Sequence, residues 1–121
     1  MAEQRLKHFG WGREGEGMTP AEETAALDRY RHLFGVDGFD ERGPPPLSQI
    51  ELRPPRLVAP AALAACCSTE LYDRAAHTYG KSFSDYARGL GGEYGNAPDV
   101  VAYPRDEAEI VAVLDLSLIH I

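Results

Sequence analysis

Cysteine is almost absent from this chain: it has two, Cys66 and Cys67, and they are adjacent. Neighbouring cysteines have poor geometry for an ordinary disulfide, and the pair lacks the spacing of a zinc site. The sequence reads them as small buried helix residues, since free cysteine packs as a small hydrophobe. A basic face is missing too. Twelve Lys+Arg are scattered among 19 Asp+Glu for a net charge of -7, which argues against a nucleic-acid partner because phosphate contact needs clustered cations. No apolar run approaches the roughly 18 residues of a membrane span; the longest, 57–67, is alanine-rich and broken by Pro60. Residues 1–12 carry Arg5, Lys7 and His8 around no apolar stretch, so no secretory signal is read and a cytoplasmic chain is the default. There is no Gly-x-Ser-x-Gly elbow, no phosphate-binding Walker loop and no paired-histidine metal helix. Asp37, Asp40 and Glu41 do not fit a calcium loop. No metal is expected.

What is present is ordinary globular composition, 44% hydrophobic and 26% charged. Residues 1–18 form a glycine-rich polar stretch containing Phe9, Gly10, Trp11 and Gly12. It reads as an extended arm whose aromatics dock onto something larger. Residues 19–97 read as a helical region with a proline-rich connector. Thr19-Pro20-Ala21-Glu22 is a capping box with proline at the first helical position. Ala26, Leu27, Tyr30, Leu33 and Phe34 then share one face, and Gly35 is the stop. From Val36 to Pro55 five prolines enforce a long irregular connector, with a brief edge strand possible at Ile50–Leu52. A short helix is expected over Pro60–Cys67, and a second, capped by Ser68 or Thr69, running to about Tyr79. Ser82-Phe83-Ser84-Asp85 starts a third that finishes at Gly89.

After a glycine-rich loop, residues 98–104, Pro-Asp-Val-Val-Ala-Tyr-Pro, read as a buried strand. Asp106-Glu107-Ala108-Glu109 opens an amphipathic helix carrying Ile110, Val113 and Leu114. Strand followed by helix is the first half of a βαβ unit, and no later strand remains to pair in parallel. The fold class expected is therefore an α+β fragment, with the arm and short helices leading into the first strand and helix of an α/β domain at 98–115. The last six residues, Leu116-Ser117-Leu118-Ile119-His120-Ile121, are what a transposon-end sequencing adapter encodes when translated. They are read as a non-native tail, 116–121, on the N-terminal portion of a longer protein.

The run Tyr72-Asp73-Arg74-Ala75-Ala76-His77-Thr78-Tyr79-Gly80-Lys81-Ser82, with Asp85, Arg88-Gly89 and the strand at 98–104, resembles the entry segment of FAD-linked oxidases. The arm, Lys7-His8-Phe9-Gly10-Trp11-Gly12, adds a narrower likeness to the alkylglycerone-phosphate synthase branch and its bacterial relatives. The Pro-Asp-Val-Val strand is common across the superfamily; the Gly-Trp-Gly arm joined to the Arg-x-x-His-x-x-Gly segment, Arg74 to Gly80, is what favours the branch. The resemblance, over about residues 5 to 115, implies FAD in the full-length parent and a lipid-phosphate substrate. It also implies an exchange of acyl for alkyl chain on dihydroxyacetone phosphate, as in ether-lipid synthesis. The family's phosphate-binding glycine loop has no counterpart here, since residues 105–121 contain no glycine, and its histidine cluster, tyrosine and arginines match no position. The fragment alone is expected to be inactive. A cytoplasmic bacterial enzyme, peripheral to the membrane through its lipid substrate, is the implied setting. An FAD-linked 2-hydroxy-acid oxidoreductase and a small helical interaction module are the alternatives.

Candidate site residues follow from the same segments. Arg74 and His77, three apart on one helix, would project together as a phosphate-binding and titrating pair near substrate, with Asp85 and Arg88 just beyond. Their structural alternative is to pin the arm to the flavin domain. Tyr103 and Pro104 end the strand where ligands gather in open α/β sheets, and would border the cofactor. Strand termination is the plainer reading of both.

Overall fold

A computed structural model describes residues 5–119 of the chain. Four helices, α1 (Pro20–Phe34), α2 (Leu71–Ala76), α3 (Phe83–Leu90) and α4 (Glu107–Ile119), accompany two short strands, β1 (Cys67–Ser68) and β2 (Val101–Ala102). The fold is a small α+β one, as expected. Residues 1–4 of the arm and 120–121 of the tail lie outside the described residues; Leu116–Ile119 continue α4.

The first helix forms where its capping signals place it. Thr19 accepts from the Glu22 amide, the Glu22 carboxylate bonds the Thr19 amide in return, and Gly35 closes the helix in the left-handed region at φ 63. Its apolar face, however, buries nothing. Leu27, Tyr30, Phe34 and Phe39 line an open apolar cleft instead. The third helix carries a second reciprocal box, Ser82 with Asp85, and runs one residue past Gly89 to Leu90.

Several expectations fail for local reasons. Pro60–Cys67 is not a helix: a single 3-10 turn, Ala61–Leu63, gives way to β1. Alanine offers propensity but no apolar face to hold a longer helix. Cys66 is buried in the turn and Cys67 is half-buried in the strand, both as free thiols. The second helix is only Leu71–Ala76: Ser68 gives its hydroxyl to Asp73 at 2.5 Å and accepts from the Glu70 amide, leaving Glu70 as N-cap, and the helix closes early at His77, φ -109. No strand forms at Ile50–Leu52; Ile50 closes a 3-10 turn over Leu47–Gln49 and enters the core. The largest correction concerns the last strand. It does not wait for a parallel neighbour but pairs antiparallel with β1, Cys67 opposite Ala102 and Ser68 opposite Val101, with the Tyr103 amide donating to Cys66 O at 2.7 Å.

The core is thin. Ile50, Ala75 and Tyr94 form its centre with Leu47 and Leu52 packed on it, and Leu63, Cys66, Ala97 and Val101 are also buried. Among the described residues the most deeply buried of these is a small one, Ala97, at 0% exposure. Polar ties supplement it. Asp99 takes Arg53 at 2.5 Å and both the backbone and guanidinium of Arg56, so the proline-rich connector is fastened to the loop before β2. By contrast α4 is apolar around its circumference, with Ile110, Val111, Leu114 and Leu118 about half or more exposed, a pattern typical of helices covered on more than one side.

The arm does not extend toward an external partner. It folds into a hairpin, Leu6 opposite Arg13, with Lys7 N donating to Gly12 O and Glu14 N to Arg5 O. Phe9 and Trp11 both pack on Tyr86 of α3, at 5.1 and 4.9 Å between ring centroids.

A candidate cleft around Asp73

The second helix carries three consecutive buried residues, Asp73, Arg74 and Ala75, and so presents charge to the interior where partners must be supplied. Asp73 finds three. Its Oδ1 accepts from Arg5 of the arm at 2.7 Å and from the Tyr103 hydroxyl at 3.1 Å, and its Oδ2 accepts from Ser68. One carboxylate thus joins the arm, β1, α2 and the residue after β2. Burial pushes the Asp73 carboxyl up, but the bonds from Ser68, Arg5 and Tyr103 outweigh it and hold the group below the usual carboxylate range. Tyr103 moves the other way, raised by burial and by the Asp73 charge.

Above this hub lies a cleft of about 570 Å³, lined by Arg5, Leu6, Tyr72, Asp73, His77 and Tyr103 together with Ala76 and Arg13. Its volume is in the range of small-molecule sites, on the order of 300–1,000 Å³. Arg5 lies over the Tyr72 ring, 3.9 Å from its centroid. His77 donates from Nδ1 to the Asp73 carbonyl at 2.8 Å, which makes Nε2 the acceptor nitrogen of the neutral ring. The His77 ring meets Tyr103 edge to face at 5.9 Å. This arrangement holds one hydrogen-bond acceptor beside the Tyr103 ring. Among the described residues no cluster of three or more metal-binding side chains exists.

The residues singled out from sequence are divided by this geometry. His77 and Tyr103 do share the cleft. Arg74 does not: it is 4% exposed, and its guanidinium donates to Pro98 O and Arg53 O, both at 2.7 Å, whereas His77 is exposed. The three-residue spacing failed because α2 ends at Ala76 and His77 takes a non-helical backbone, φ -109. Asp85 serves the cap of α3, and Arg88 pairs with it at 3.3 Å beside the Tyr79 ring, away from the cleft. Pro104 is exposed and lines none of the clefts described. The residues sequence reasoning missed are Arg5, Tyr72 and Asp73. Asp73 sat beside Arg74 in the quoted motif, and its tie to Arg5 spans 68 positions of sequence.

The start of α4, which follows a strand as phosphate-binding helices do, is closed to anions. Asp106 caps it through the Glu109 amide at 2.9 Å, and Glu107 and Glu109 add charge, with Glu109 turned back onto the Arg105 amide and guanidinium. A helix N-terminus attracts phosphate through free amides; here carboxylates occupy that position.

No protein-family model matches the chain, and no curated protein matches it. Solved structures do. Alkyldihydroxyacetonephosphate synthase crystallised in P1 superposes with a TM-score of 0.69 at 22% identity, over 93% of this chain and 26% of that one. The same enzyme in P212121 gives 0.66 at 19%, over 93% and 25%. The fold is therefore shared with one segment of that enzyme, and the chain spans about a quarter of the length of the structures it matches.

Proposed function

We propose that this chain forms the entry segment of an FAD-dependent enzyme of the alkyldihydroxyacetonephosphate synthase type, acting on a lipid phosphate. The observation that carries the reading is the superposition over 93% of the chain onto one quarter of that synthase, together with the sequence likeness of residues 72–104 and the arm. In this proposal residues 19–97 are a helical platform, and 98–115 open the flavin domain. The free edge of β2 and the apolar flank of α4 are covered there by further strands.

The residues present do not fit the flavin phosphates. The helix that follows β2, α4, is capped by Asp106 and carries Glu107 and Glu109 in its first turn, so in this proposal the phosphate-binding loop is supplied by other residues. What this segment contributes is scaffold: Asp73 and Asp99 lock arm, connector and strand together, and His77 with Tyr103 faces an open cleft. No described helix is long and apolar enough to cross a membrane, which is compatible with a lipid substrate met at a membrane surface.

The test is to express the uninterrupted gene product and assay it with acyl-dihydroxyacetone phosphate and a long-chain alcohol, against a 2-hydroxy acid with an electron acceptor. Alkyl-for-acyl exchange supports the proposal. Oxidation of the hydroxy acid without exchange replaces it with the oxidoreductase reading.

A further inference from the structure

The arm is attached in an unusual way. Its fastenings to the rest of the protein include Arg5 to Asp73, the Tyr72 hydroxyl to Leu6 O at 2.7 Å, Lys81 Nζ to Lys7 O at 3.3 Å, Phe9 and Trp11 on Tyr86, and Glu14 beside Tyr72. From Gly15 to Met18, on the way to α1, the chain is exposed. A Cβ at Gly15 or Gly17 would meet nothing within 4 Å, and Gly15 sits at φ 80, where glycine is at ease. No described residue of the arm is fully buried. Its backbone bonds run within the hairpin, so it can move without breaking them.

We infer that the arm is a strap that lifts as one unit about Gly15 to Met18, latched by Arg5 on Asp73, and that lifting it removes one wall of the cleft facing His77 and Tyr103. The latch is built to reopen. When Arg5 leaves, Asp73 keeps Ser68 and Tyr103, so no buried carboxylate is stranded, the outcome that makes breaking most buried pairs costly. Arg5 also has an outward step: its Nη2 already reaches the exposed Glu70 at 3.2 Å. The Arg5, Asp73 and Tyr103 side chains form the partition between this cleft and a second of about 540 Å³, lined by Cys66, Cys67, Glu70 and Arg105 among others. Withdrawing Arg5 joins the two. The strap therefore sets both the size and the exposure of the space beside His77.

Amide exchange of the full chain, with fluorescence of its single tryptophan, reads the motion, because Trp11 lies in the strap. In Arg5→Gln, exchange at the Lys7 and Glu14 amides accelerates roughly tenfold, the effect of one lost charge-assisted hydrogen bond, since a lifted two-stranded hairpin is marginal in water. Trp11 emission shifts to the red, amides of α2 and α3 keep their protection, and Arg5→Lys recovers part of the loss. Equal acceleration in α2 and α3 would make the arm an inseparable part of the core and overturn the inference. Unchanged exchange in the arm would show that Arg5 is not its latch, with the same consequence.

Discussion

Phe9 of the arm lies so closely over Gly89 of α3 that a Cβ at position 89 would stand 2.7 Å from the ring. That glycine, which from sequence served only as a helix stop, is inside the helix and acts as the seat of the arm. Gly89→Ala should therefore separate helix propensity from docking. Alanine favours the helix by roughly 1 kcal/mol, whereas overpacking against Phe9 costs about 1–3 kcal/mol. The expected outcome is a displaced arm, read as faster proteolysis after Arg5 and Arg13, in a protein whose α3 remains helical.

Arg74 should behave as a structural residue. Arg74→Met leaves Pro98 O and Arg53 O without their donor, and each unsatisfied buried carbonyl costs about 1–3 kcal/mol. Denaturant melts should show a loss near 3 kcal/mol. His77→Ala, at an exposed position, should change stability by less than about 1 kcal/mol. The reverse order would restore Arg74 to the cleft.

Acid should weaken the protein in two stages. Burial lowers His8 below its ordinary 6.5, so the contribution of its neutral form is present above that pH and declines as pH falls beneath it, loosening the arm first. Asp73 and Asp99 are both held below their ordinary 3.8, burial being outweighed by their hydrogen-bond donors. Their contribution is complete above that value and is lost as pH falls through the lowered range. Stability measured against pH should decline slightly below about 6.5 and steeply below about 4. His8→Phe should remove the first decline and leave the second.

The exposed apolar residues of α4 predict association. Ile110, Leu114 and Leu118 are 47%, 57% and 67% exposed, and contiguous apolar surface of this kind drives self-assembly or aggregation. Light scattering of the 121-residue chain should rise with concentration. The double substitution Leu114→Glu, Leu118→Glu should suppress it without altering the melt, because neither residue is buried.

Local signals were legible and distant ones were not. The boxes at Thr19 and Ser82 and the stop at Gly35 are decided within four residues, and each appears as read. The pairing of β1 with β2 joins residues about 34 apart, since Ser68 faces Val101 and Cys67 faces Ala102, and two-residue strands leave no alternation to detect. The site divides in the same way. His77 and Tyr103 were visible as side chains with chemistry, but the carboxylate that places them, Asp73, is defined by Arg5 and Tyr103, 68 and 30 positions away. The same helical spacing that grouped Arg74 with His77 misled, because it presumed a helix that continues past Ala76.

The flavin content of two polypeptides tests the central claim most directly: the 121-residue chain, and the uninterrupted gene product that contains it, purified and compared by visible absorbance. The account predicts a colourless short chain, as its α4 N-terminus is closed by Asp106, Glu107 and Glu109, and a yellow long product with one flavin per polypeptide. A short chain that retains stoichiometric flavin, or a long product that carries none, would contradict it.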